Sequence, residues 1–245
     1  MLKIESLDFK GERDVGVLVI HGFTGTPLSV KPLIDALVNE GYHVKAPLLP
    51  GHGTDWRDLR NTNYWDWIGK VETALYELMQ ITDNVFVGGL SMGGTLSIHM
   101  AENHPDRIKG IFPINPAIRL DNPLVKFIWL LKYFIPSIKV PPTDTKDKSV
   151  KEINYERIPT QTAYELYKLL RLTDKHLNKV RCPVLLLASS EDHVVPMEQK
   201  RYIFDRINSS EKEFIILKDS YHTATLDLDK DRINKLVVEF IESHL

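Results

Sequence analysis

Six short runs rich in β-branched residues recur along this chain, each separated from the next by a stretch of helical periodicity, and that alternation constrains the fold more than any other feature. The runs cover residues 15–20, 44–49, 84–88, 108–114, 184–188 and 213–217. Parallel strands need crossover connections, and the intervening patterns supply them. Ser29 is placed to cap a helix that has Pro32 in its first turn and ends at Gly41, and residues 64–80 repeat apolar side chains at helical spacing. Residues 198–207 and 230–245 read as the last two helices, the second with Ile233, Leu236, Val237 and Phe240 on one face. The chain therefore predicts an α/β domain with a mostly parallel sheet flanked by helices.

Between residues 116 and 161 the strand signal stops. Prolines cluster at Pro123, Pro136, Pro141 and Pro142, and an apolar stretch, 124–140, is followed by a polar one, 143–151. This segment starts beyond the C-terminal end of the 108–114 run, the edge of an open α/β sheet where ligands bind. It is expected to be a cap inserted over a site, with residues 1–115 and 162–245 forming the core. Lys126, Lys132, Pro136 and Lys139 interrupt the apolar stretch, so it falls short of the roughly 18 to 20 apolar residues that cross a bilayer.

Composition narrows the function classes. A net charge of -2 with no Lys/Arg run leaves no basic field for nucleic acid. The single cysteine, Cys182, precludes an intramolecular disulfide and lies at the start of an apolar run, where it reads as core. The first fourteen residues mix both charges without an apolar stretch of signal-peptide length, so the chain reads as cytoplasmic.

The chemistry is concentrated in Gly88-Gly89-Leu90-Ser91-Met92-Gly93-Gly94, which directly follows an apolar run and directly precedes a helical pattern. A serine at the tip of a sharp strand-to-helix turn takes strained backbone angles, and its neighbours at Gly89 and Gly93 must lack bulk where strand and helix nearly touch. Such a turn presents Ser91 as a nucleophile and aims the Met92 N–H and the positive end of the helix at a developing oxyanion. A second donor is expected from His21-Gly22-Phe23-Thr24-Gly25, with the Phe23 N–H as the natural choice and His21 holding the loop by a hydrogen bond.

A serine nucleophile needs a histidine base, which a carboxylate must orient. With the order serine, acid, histidine, the acid falls in Ser189-Ser190-Glu191-Asp192-His193 and the base in Asp219-Ser220-Tyr221-His222, each just past a predicted strand. Asp192 fits better than its neighbour Glu191, and His193 is a candidate for the pocket lining. Among the nine histidines no pair has the spacing of a zinc site, so neither a metal nor a cofactor is expected.

These residues carry a resemblance. HGFTGTP at 21–27, GHGT at 51–54, GLSMGGTL at 89–96, EDHVVP at 191–196 and SYHTATLD at 220–227 make the chain similar to the α/β-hydrolases, in particular to the bacterial monoacylglycerol lipases and small carboxylesterases. The resemblance implies a Ser91, Asp192, His222 triad, an oxyanion hole from Phe23 and Met92, and a lipid ester of glycerol with one acyl chain as substrate. Glu152 falls in what resembles the family's glycerol-side segment. The stretch around Phe127, Trp129, Tyr133 and Phe134 is more aromatic than the usual insert, which suits an acyl tunnel, contact with a lipid surface, or packing on the body of the protein. A general short- to medium-chain carboxylesterase, carbon-carbon bond hydrolysis on the same triad and a non-enzymatic receptor on the same fold are the alternatives.

Overall fold

The computed structural model describes residues 4–120, 127–140 and 143–245. Pro123, Leu124, Lys126, Pro141 and Pro142 lie outside them. Its strands are β1 (Leu7–Phe9), β2 (Gly16–Ile20), β3 (His43–Ala46), β4 (Val85–Leu90), β5 (Gly110–Ile114), β6 (Ser137–Lys139), β7 (Arg157–Pro159), β8 (Val184–Ser189) and β9 (Lys212–Leu217). Seven form one sheet in the order β1-β3-β2-β4-β5-β8-β9, parallel throughout except for β1.

Successive side chains along a strand point to opposite faces, and helices bury both. Val17, Val19 and Phe86 face α1 (Lys31–Asn39) and α7 (Lys230–Glu242), where Leu33, Ile34, Leu37, Ile233 and Val237 join them. Leu18, Ile20, Val85 and Val87 belong to the opposite core, with Trp67 and Val71 of α2 (Tyr64–Met79), Leu96 and Met100 of α3 (Met92–Asn103) and Ile203 of α6 (Met197–Arg206). Cys182 lies in this second core, and burial pushes its thiol up to about 12. No helix among the described residues is long and apolar enough to cross a membrane.

The structure departs from the sequence expectations at particular elements. β1 has only three residues with one exposed, too short for an alternation signal. The helix after β2, α1, has no side-chain cap, with Val30 and not Ser29 at its N-cap; Thr26 instead caps a 3-10 turn, Pro27–Val30, that leads into it, its hydroxyl accepting from Leu28 N while Ser29 is the reciprocal partner. Within 116–161, where no strand was expected, β6 and β7 pair antiparallel beside the short helix α4 (Ile128–Leu131), and α5 (Thr160–Asp174) follows β7 at once. These two strands have three residues each and pair only with one another.

β4 continues two residues beyond its apolar run because glycine lets it. A Cβ on Gly88 would lie 2.0 Å from the Phe112 ring, and on Gly89 2.2 Å from the Ile20 carbonyl oxygen. On Gly93 it would lie 2.0 Å from that same oxygen. The ends of β2 and β4 and the start of α3 thus touch backbone to backbone.

Gly93→Ala is therefore expected to cost at least ~3 kcal/mol or prevent folding. Gly69→Ala, at an exposed position in α2 with no atom within 4 Å of the new methyl, should stabilise by ~0.5 to 1 kcal/mol. Urea unfolding of both variants checks the pair.

Candidate active site

Ser91 occupies the β4-to-α3 junction with φ 55° and ψ -116°, a conformation that costs a non-glycine residue of order 1–3 kcal/mol. Its own N–H donates to the Ile114 carbonyl at 2.8 Å, which ties the turn to the end of β5. Gly22 packs against this turn, near enough that a Cβ there would be 3.5 Å from Ser91 Cβ. Among the described residues neither the Phe23 nor the Met92 amide donates to a backbone carbonyl in a turn, loop or cap.

The loop after β2 is braced by His21. Its Nε2 accepts the Leu49 N–H at 3.1 Å, so Nδ1 carries the proton and donates to the Gly22 carbonyl at 2.8 Å. Burial, reinforced by neighbouring His52, drives the His21 pKa down to about 3, which keeps the brace neutral. His52 packs edge-on against His21, Phe23 and Trp67.

Asp192 and His222 come from the loops after β8 and β9. Their side chains meet at 2.9 Å, Asp192 Oδ2 to His222 Nδ1, with the Asp192 side chain 1% exposed. The other carboxylate oxygen accepts Val194 N at 2.9 Å and Val195 N at 2.8 Å. Burial pushes the Asp192 pKa up, but the hydrogen bond and charge of His222 and the ammonium of Lys200 outweigh it and hold the group well below the usual carboxylate range. Glu191 points outward, half exposed, with Lys146 at 3.7 Å. His193 is not among the residues that line the cavity; its exposed ring sits 2.8 Å from Asp144 Oδ1 and edge-on to Tyr221.

Ser91 and His222 open into one cavity of about 410 Å³, within the size range of small-molecule sites, roughly 300 to 1,000 Å³. Two apolar clusters wall it, one with Ile128, Val140, Ile158 and Ala163, the other with Ala117, Leu166 and Val195. Its polar lining includes Thr143, Glu152 and Asn154 from residues 143–154. Asn154 Nδ2 donates to Glu152 at 3.3 Å and to Thr143 at 3.4 Å, and the Glu152 carboxylate lies against Gly25 of the His21 loop. Burial raises the Glu152 pKa, with Ser29, His222 and Thr143 opposing it.

Three further side chains that sequence reasoning missed hold the two loops in place. Asn115, at the end of β5 with φ 45°, donates to the His222 carbonyl at 2.8 Å and to Ser189 Oγ at 2.9 Å while accepting Ser189 N at 2.7 Å. Asp144 accepts the backbone N–H groups of His193 and His222, both at 3.2 Å. Lys200 is fully buried with its ammonium 2.6 Å from Asp192 Oδ2. An asparagine straight after a strand is a recognisable left-handed turn residue; nothing in the sequence marks Asp144 or Lys200. Among the described residues no three His, Cys, Asp or Glu side chains gather as a metal site would require.

A family model described as serine aminopeptidase, S33 (Hydrolase_4) matches residues 11–229. The chain belongs to that family. It is 44% identical over 234 residues to a thermostable monoacylglycerol lipase of Bacillus sp. (strain H-257), covering 94% of this chain and 91% of that one. Among solved structures, a metagenome-derived lipolytic enzyme superposes with a TM-score of 0.95 at 36% identity, over 99% of this chain and 98% of the other. The monoacylglycerol lipase of Paleococcus ferrophilus superposes at 0.84 with 22% identity over the whole of both chains, a likeness of fold.

In this α/β-hydrolase, Asn115→Ala would strand the Ser189 amide and the His222 carbonyl and put alanine in a left-handed conformation. Thermal unfolding is expected to report a loss of ~3 kcal/mol. Ester hydrolysis by the folded variant should show kcat reduced by ~10-fold or more with KM little changed.

Proposed function

We propose that this carboxylic ester hydrolase cleaves monoacylglycerols to glycerol and a fatty acid, with Ser91 as nucleophile, His222 as base, Asp192 as the residue that orients the base, and the Phe23 and Met92 amides as oxyanion hole. The observation that carries the reading is the shared cavity. Ser91 and His222 face the same 410 Å³ space, and behind it the His222 ring is held on a buried, ionised Asp192.

Each step follows from that arrangement. Nδ1 of His222 is turned to Asp192, which leaves Nε2 to take the Ser91 proton as the oxygen attacks the ester carbonyl. The carbonyl oxygen becomes an oxyanion at the N-terminus of α3, where the Met92 amide and the helix dipole favour negative charge. Breakdown of the tetrahedral species returns the proton to the leaving glycerol. Water, activated by the same imidazole, then frees the acid from Ser91.

The lining supports a division of labour. The apolar walls suit an acyl chain, each buried methylene contributing ~0.8 kcal/mol. Glu152, Asn154 and Thr143 form a polar cluster in which Glu152 accepts hydrogen bonds from glycerol hydroxyls. Residues 116–161 act as the cap. Its outer surface carries Phe127, Trp129, Tyr133 and Phe134, the last two 73% and 75% exposed, while Ile128 and Ile138 of the same stretch line the cavity. With Lys132 over the Tyr133 ring and Lys139 exposed in β6, the face suits the surface of an anionic lipid layer that holds the substrate.

Initial rates across glycerol esters of increasing acyl length, short nitrophenyl esters and a dienoic carbon-carbon substrate test the reaction class, with Ser91→Ala expected to lose at least ~10³ in turnover. Glu152→Leu should lose ~10-fold or more on monoacylglycerol but little on the matching methyl ester; equal losses would reject the glycerol-side role. Co-sedimentation with phosphatidylglycerol-containing vesicles should fall ~10-fold for the double variant Tyr133→Ser/Phe134→Ser. Unchanged sedimentation would remove the lipid-surface role of the cap.

A further inference from the structure

Lys200 lies in the first turn of α6 with its side chain 0% exposed. Burying an ammonium is costly unless it is paired, and its partners here are two. Nζ is 2.6 Å from Asp192 Oδ2 and 3.3 Å from the Ser189 carbonyl. The oxygen it contacts is the one that meets His222 Nδ1 at 2.9 Å, whereas Oδ1 is occupied by the Val194 and Val195 amides. One carboxylate oxygen therefore divides its charge between the Lys200 ammonium, whose pKa burial lowers against the opposing charge of Asp192 and Asp144, and the imidazole.

We propose that Lys200 is a positioning residue that lowers the proton affinity of His222 through the shared Asp192 oxygen, and so extends ester hydrolysis to more acid pH. The proposal rests on the acyl-transfer reading of the site. An isolated carboxylate beside an imidazole carries a full negative charge and favours the imidazolium, which cannot accept a proton from serine. With Lys200 the trio is neutral while the imidazole is neutral, and becomes a cation when it takes a proton. The bonds through Oδ2 hold the two nitrogens within about 5.5 Å of each other, a separation at which unit charges interact appreciably even at a high effective dielectric.

The other charged groups around the trio are accounted for. Asp144, from the segment over the site, acts on Lys200 and is itself paired with His193. Glu152 faces His222 across the cavity. Glu191 and Asp219 lie on the outer side and share Lys146. Asp227 spends its oxygens on the amides of Lys146, Asp147, Tyr221 and Leu228, and Asp229 on the Asp219 amide and Arg232. Lys200 is the cation in direct contact with the Asp192 oxygen that holds the base.

The neutral imidazole is the working form, and a cation beside it disfavours protonation. Removing the cation makes protonation easier and moves the acid limb of the rate profile to higher pH. The test is kcat/KM for a short nitrophenyl ester from pH 4 to 9 with the wild-type protein, Lys200→Met, Lys200→Gln and Lys200→Arg, each verified as folded by circular dichroism. Both neutral variants are expected to move the acid limb up by about one pH unit, a tenfold loss of rate below it, while Lys200→Arg keeps the wild-type limb. An unmoved limb in the folded neutral variants, or an equal movement in Lys200→Arg, would overturn the proposal. Failure of both neutral variants to fold while Lys200→Arg folds would overturn it too, since the ammonium would then serve folding alone. Undiminished turnover by Ser91→Ala would instead overturn the acyl-transfer reading, and this proposal with it.

Discussion

The contact of the Ile20 carbonyl with Gly89 and Gly93 is the constraint on which the site depends. It brings the end of β2, the end of β4 and the first turn of α3 to backbone distance, with room for hydrogen atoms and nothing larger. Because α3 starts there, Ser91 has to turn through a positive φ, and the bond from its amide to Ile114 keeps it there. The same closeness places the His21 loop, and with it the Phe23 amide, beside the serine. A methyl group at either glycine would separate these three elements together, so Ser91 and the amides of Phe23 and Met92, the proposed nucleophile and oxyanion donors, stand or fall as one unit.

Burial acts on the ionisable groups in opposite ways, and hydrogen-bond donors decide which way. Asp192 is almost completely enclosed, yet two amides, an imidazole and an ammonium keep it ionised. Glu102, enclosed in α3, has no hydrogen-bond partner for either oxygen among the described residues; burial pushes its pKa up to about 9 and it remains neutral. Among the described residues no carboxylate pairs with His21 or His52, and burial lowers their pKa values to about 3 and about 4, which keeps them neutral. The same interior thus keeps one carboxylate charged and another uncharged, according to the donors each one meets.

Residues 143–155 are stitched to the body at the loops that carry the proposed chemistry. Asp144 bonds to the backbone on both sides of the Asp192–His222 pair, Asp227 accepts the amides of Lys146 and Asp147, and Tyr155 joins the 51–54 loop through its hydroxyl. This polar stretch is thus continuous with the loop that carries His222, whereas the rings of Phe127, Trp129, Tyr133 and Phe134 are exposed and Ile128 between them is buried and lines the cavity.

The sequence by itself determined the layered α/β architecture, the serine turn and the loops that hold Asp192 and His222, because each is written in local signals: strand and helix periodicities, obligatory glycines, and residue types straight after a strand. It also pointed to His21 as a brace, since a histidine at a strand end beside a glycine loop has few other uses. Only the tertiary structure decided that His193 pairs with Asp144, that Asp144 bonds the backbone of both loops, and that Lys200 is buried against Asp192. The physical reason is separation along the chain: Asp192 reaches His222 thirty residues on, and Asp144 reaches His222 across seventy-eight. At such distances a lysine in a helix looks the same whether it faces water or a carboxylate, and only the packing of α6 against β8 tells the two apart.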